Sequence, residues 1–153
     1  MIRKLAHGIG TGLVAGLVGT AAMTVSSTIE MKVRGRQASS APAQAAEKVL
    51  GIEKFKSDTD ERRFSTLVHW GYGTGWGAMR GLLRAAGLSP AAATGGHFAA
   101  VWGSEQVTLP ALAVAPPVTM WGGKEVAIDA WHHLVYVVAT AVAYELVDRS
   151  RSA

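Results

Sequence analysis

Residues 8–29 carry no ionisable side chain, and this run is longer than the ~20 apolar residues that cross ~30 Å of hydrocarbon. A helix satisfies its own backbone hydrogen bonds, so a first membrane-spanning helix is expected over residues 5–29, with His7 as its one titratable group. The rest of the composition points the same way. Hydrophobic residues make up 49% of the 153 positions and charged ones only 17%, below the roughly 25% usual in soluble domains. A secretory leader is the rival reading of the first 45 residues, since Arg3 and Lys4 precede the apolar run and Ala41-Pro42-Ala43 resembles a cleavage site. The run is too long for that, and Lys32, Arg34 and Arg36 lie between it and the supposed site.

Residues 30–63 hold eight of the fifteen Lys and Arg together with six acids, so they form a polar loop outside the bilayer. Within it Pro42 can open a short helix whose Val49, Leu50, Ile52 and Phe55 form an apolar stripe suited to a membrane interface. Ser57, Asp58, Asp60 and Glu61 then supply a cap and negative charge for the following helix. Further spans are expected over residues 64–87, 91–114 and 125–147. Arg80 and Arg84, in the last turns of the second span, can snorkel towards headgroups. The reading is an all-α integral membrane four-helix bundle, a single membrane domain over 1–153 with both termini on one side. A compact soluble helical bundle is the alternative. Lys and Arg divide six against nine between the two sides, which leaves the orientation open. The same bases are scattered over helix flanks and mixed with acids, so the lipid bilayer, and no nucleic acid, is the expected partner.

In lipid, helix association depends on close backbone approach, which small residues every four positions permit. Gly8, Gly12 and Gly16 repeat at that spacing in the first span, and Gly73, Gly77 and Gly81 in the second. These two helices should pack tightly; a structural or assembly subunit of a membrane complex, whose glycine faces meet a homo-oligomer or membrane-complex partner, is the rival functional reading. The string Gly10-Thr11-Gly12-Leu13-Val14-Ala15 fits a dinucleotide fingerprint, but no strand precedes it and no βαβ unit surrounds it. With no cysteine in the chain, thiolate metal sites and cysteine nucleophiles are excluded. No serine, histidine and acid can be assigned to a catalytic arrangement from spacing alone, and no enzyme activity is expected.

An ionisable side chain deep in a span costs about 2.5–3.5 kcal/mol, so each one is a functional candidate. At ~1.5 Å rise per residue, His69, Glu105, Asp129, His132 and His133 all lie about 4–10 Å from the span midpoints on the long-loop side. His97 falls in the other half. Asp129 stands at i,i+3 and i,i+4 from the two histidines, so the three share one helix face, continued by Tyr136 and Thr140. Pro110 removes a hydrogen bond from the Gln106 carbonyl and should kink the third span beside Glu105. The five-residue cluster can be read as a satisfied structural network, as a proton- or ion-linked site, or as a metal site for zinc, iron or manganese. Haem ligated by two of the histidines is a remoter option. Trp76 and Trp102 read as packing opposite small residues.

Three strings together resemble the YagU-like family of bacterial inner-membrane proteins: His69-Trp70-Gly71-Tyr72-Gly73; residues 102–110 from Trp102 through Glu105 to Pro110, before Pro116-Pro117; and His132-His133-Leu134-Val135-Tyr136. The resemblance covers roughly residues 64–147. It implies a multi-pass protein of the bacterial inner (plasma) membrane, of unassigned molecular activity and associated with the acid response. Gln106 beside the acid, Asp129 and the doubled histidine depart from the pattern.

Overall fold

The computed structural model describes residues 2–152, with side chains over 2–149. The chain is all-helical: α1 (Ile2–Arg34), α2 (Ala41–Leu50), α3 (Asp58–Ala85), α4 (Pro90–Ala111) and α5 (Gly123–Ser152), with a 3₁₀ turn at Val118–Met120. Local chemistry fixes the boundaries. Ser57 accepts the Asp60 amide proton and Asp58, Asp60 and Glu61 fill the first turn of α3, so that helix starts six residues before the expected 64. Ser89 caps α4 in the same way, with Pro90 in its first turn. Helix α1 runs past residue 29 to Arg34, because Glu30 pairs with Arg34 one turn on and Lys32 and Arg34 favour the C-terminal end of the helix dipole.

The largest departure from expectation is in α4, which stops at Ala111 instead of reaching 114. Ala113 takes a left-handed backbone (φ 51°) and Val114 bonds back to Leu109, closing the helix before Pro116 and Pro117. Pro110 therefore sits in the last turn and not at a kink within a longer rod. Both polar atoms of the Gln106 side chain are buried without a partner beside it.

The four long helices run up, down, up and down. Antiparallel α1 and α3 are in contact from Gly8 beside Gly81 to Thr24 beside His69. Antiparallel α1 and α5 are linked from His7 and Asp148 at one end to Arg34 and Glu125 at the other. Helix α4 packs against α3 and α5, diagonally from α1, and α2 lies on α3. The α1–α3 seam has backbone against backbone. A Cβ on Gly8 would come 2.7 Å from the Gly81 carbonyl oxygen, and one on Gly16 would come 2.8 Å from the Gly77 Cα. Gly12 and Gly77 face each other so closely that a methyl group on either would strike the other's carbonyl, and Gly73 lies against Thr20. Gly8, Gly12, Gly16, Gly73, Gly77 and Gly81 thus all meet neighbours within the chain.

The interior is small, with Val101, Tyr136 and Val137 at its centre and Met23, Trp76 and Phe98 against them. Apolar residues cover much of the outside. Leu134, Val138, Val142 and Leu146 form an exposed stripe along α5, and Leu13, Val14, Leu17, Val18 and Val25 are exposed on α1. Among the described residues, Ile2–Arg34 and Gly123–Arg149 are long and apolar enough to cross a membrane by length and composition. Helix α3, which carries Arg80 and Arg84, and helix α4, which carries His97, Glu105 and Gln106, are not among them.

Candidate functional site

The five sequence candidates fall into three places. Successive residues on a helix point about 100° apart, so the adjacent histidines of α5 face different neighbours. His133 turns towards α4, where its Nε2 lies 3.0 Å from Glu105 Oε2. That contact is close but lacks an aligned hydrogen bond, and it is an ion pair only when His133 is protonated. The other ring nitrogen, Nδ1, lies 2.9 Å from the Asp129 carbonyl oxygen and 3.7 Å from the Asp129 carboxylate. Ligand-type atoms of Glu105, Asp129 and His133 all fall within 4.8 Å of one another. Of the two spacings from Asp129, the i,i+4 partner joins it.

His132 turns towards α1 instead. Its Nδ1 bonds to Ser26 Oγ at 2.9 Å, and its Nε2 is 3.8 Å from Glu30. Glu30 is held in turn by Arg34 at 2.9 Å and by Arg36, and Arg34 also pairs with Glu125. His132 thus belongs to a charged network at the loop end of the bundle. His69 stands apart on α3, where its Nε2 is 2.8 Å from Thr24 Oγ1, whose hydroxyl donates to the Thr20 carbonyl.

Two further residues complete the inner cluster. Trp102 donates its indole N–H to Asp129 Oδ2 at 2.8 Å and stacks on Phe98, so its role is to orient a carboxylate as well as to fill space. Tyr136, one turn after His132, donates to the Gly73 carbonyl at 2.6 Å and ties α5 to α3. A half-enclosed cavity of 470 Å³ adjoins this cluster, lined by residues of all five helices and including His69, Glu105 and His133. Its outer wall is α2, whose Ala45, Ala46, Val49 and Leu50 turn onto it.

A second ionic site lies towards the termini. Arg80, expected to snorkel outward, is fully buried: its guanidinium donates to Glu145 at 3.0 Å, to Thr94 at 2.8 Å and to the Pro90 carbonyl at 3.1 Å. Arg84 meets the same Glu145 carboxylate at 3.0 Å and donates to the Leu88 carbonyl. Its two terminal nitrogens find acceptors on two neighbouring helices, which removes the reason to reach for headgroups, although its buried Nε has no hydrogen-bond partner. Glu145 is the residue that sequence reasoning passed over. It lies in the last turn of the expected 125–147 span, and only the antiparallel register of α3 and α5 brings it to Arg80. His97 lies between the two sites, its Nε2 3.0 Å from the Trp76 carbonyl and its ring 5.6 Å from that of Tyr136.

Imidazole and carboxylates at these separations can exchange a proton over one short step, or can close on a cation that supplies the missing positive charge. No family model matches the chain, and comparison with curated proteins and with solved structures finds no similar one.

Proposed function

We propose that this chain is a multi-pass four-helix protein of a bacterial inner membrane that moves protons or ions through the Glu105–His133–Asp129 cluster, without enzyme activity. The reading is supported first by the apolar exterior: a stripe from Leu134 to Leu146 turned outward is a large exposed apolar surface in water and an ordinary one in lipid. The observation that carries it is the 3.0 Å approach of His133 on α5 to Glu105 on α4 beside a second carboxylate. Titratable groups at membrane depth are costly and are characteristic of proton relays. Here they occur at three levels: Glu30 with His132 at the loop end, the central cluster, and His97 with Arg80 and Glu145 towards the termini. The resemblance of residues 64–147 to the YagU-like family favours the same membrane and a part in the acid response.

The test is purified protein in liposomes loaded with a pH-sensitive dye. An imposed proton gradient should collapse faster than in empty liposomes, and Glu105→Gln should cut the protein-dependent rate about tenfold or more. His133→Ala should do the same, whereas His132→Ala should reduce it less. Equal rates in wild type and Glu105→Gln overturn the proposal.

A metal-binding reading is favoured by one specific observation, the convergence of three ligand-type atoms within 4.8 Å. One imidazole and two carboxylates suit zinc, iron or manganese and leave a coordination position open. Stoichiometric metal in the purified protein, lost in His133→Ala, would establish it.

A further inference from the structure

We propose that the cavity beneath α2 is a binding site for a lipophilic organic cation, held by Glu105 at its inner end and by aromatic and aliphatic walls around its body. The volume of 470 Å³ lies in the range of small-molecule sites. The walls are almost wholly apolar, with Met23, Val68, Trp76, Val101 and Leu109 among them. The ligand's body must therefore be apolar too.

The charge at the inner end sets the ligand's sign. Glu105 lines the cavity and Asp129 backs it beside the imidazole of His133, so two carboxylates meet one imidazole at this end, while the second imidazole of the lining, His69, is held by Thr24. No Lys or Arg is among the lining residues described, so an anion would meet only the imidazoles of His69 and His133, each already engaged by a neighbour. Glu105 Oε2 is buried and lies 3.0 Å from His133 Nε2, without an aligned hydrogen bond, so a ligand cation would meet this carboxylate beside the imidazole. Tyr72 and Trp76 lie edge to face at 6.0 Å on the wall, and aromatic faces attract cations, more strongly where water is excluded.

The mouth indicates the route of entry. Val49, Leu50 and Tyr72 line the cavity and are 70%, 64% and 53% exposed. An apolar rim over a charged interior admits a molecule from lipid more readily than from water. Entry from lipid rests on the proposed membrane location, but the binding itself does not depend on proton movement. Binding is read in detergent and flux in liposomes, so the two proposals can fail separately.

The experiment uses the full chain in mild detergent and equilibrium dialysis with tetraphenylphosphonium, beside tetraphenylborate, an anion of nearly the same size. Saturable tetraphenylphosphonium binding is expected, with tetraphenylborate bound at least about tenfold more weakly. Glu105→Gln should raise the Kd for the cation about tenfold or more. Ala46→Trp, which fills the cavity from α2 and leaves the ionic cluster untouched, should abolish binding. Equal affinity for the two ions overturns the proposal, and so does unchanged affinity in either variant or the lack of saturable cation binding by the wild type.

Discussion

Arg80 and Glu145 show how unequal the two halves of a buried ion pair can be. Removing Glu145 strands Arg80, which is fully buried, and takes from Arg84 the same carboxylate. Removing Arg80 leaves Glu145 its pair with Arg84, and Thr94 still bonds to the Pro90 carbonyl at 2.8 Å. Breaking a buried pair costs about 3–5 kcal/mol when a charge is left uncompensated. Glu145→Gln should therefore destabilise by about 3 kcal/mol and Arg80→Met by clearly less. Denaturant unfolding in mild detergent checks the order, and a larger loss in Arg80→Met would refute it. Single residues were legible in the sequence to different degrees. Glu105, Asp129 and His133 stood out because charge within an apolar stretch is rare, and helical spacing placed Asp129 with a histidine. The choice between His132 and His133 was not legible, since it depends on which neighbour lies 100° around α5. Trp102 was hidden for a related reason: an indole reads as apolar bulk until the register of α4 against α5 puts Asp129 within 2.8 Å of its N–H.

At the scale of elements, the glycines of α3 divide into two kinds that the sequence cannot distinguish by composition. Gly77 faces α1 so closely that a methyl group would strike the Gly12 carbonyl, whereas a Cβ on Gly75 would meet nothing within 4 Å. Alanine has the better helix propensity by about 1 kcal/mol, so Gly75→Ala should stabilise the protein slightly. Gly77→Ala must push α1 from α3 and should cost about 2 kcal/mol, the usual scale of overpacking. Opposite shifts in thermal midpoint are expected from one methyl group placed half a turn apart. The four-residue repeat gave the right kind of contact for this seam because close packing needs small residues on both helices. Helix ends were less legible. Capping extended α3 back to Asp58, an ion pair carried α1 on to Arg34, and the left-handed turn at Ala113 shortened α4, and each depends on local backbone geometry that apolar length does not encode. The start of the short helix Ala41–Leu50 was visible from Pro42, but the left-handed Gly51 ends it before Ile52 and Phe55, so the expected four-residue stripe does not form on it, and its seat over a cavity between other helices was not legible.

For the molecule as a whole, the alternating direction of α1, α3, α4 and α5 ties the membrane reading to a definite arrangement of ends. The segment 35–57 and the turn after α4 lie at one end, and the start of α1 and the last turns of α5 with the α3–α4 turn lie at the other. The two apolar helices could in principle be the centre of a soluble bundle, yet each turns apolar side chains outward, including Val14 and Leu17 on α1 and Val142 on α5. Exposed apolar surface of this extent drives association in water, so these faces favour a lipid or protein neighbour over solvent. The chain contains no cysteine, so single cysteines can report each level without background. In oriented membrane vesicles, a membrane-impermeant maleimide should label Lys54→Cys and Ala86→Cys from opposite sides, both positions being exposed. Val142→Cys, 56% exposed and well inside α5, should remain unlabelled until detergent dissolves the bilayer. Labelling of Lys54→Cys and Ala86→Cys from the same side would break the four-span arrangement. Labelling of Val142→Cys in intact vesicles would put water where lipid is required, and the high cost of the buried carboxylates on which the proton proposal depends would disappear with it.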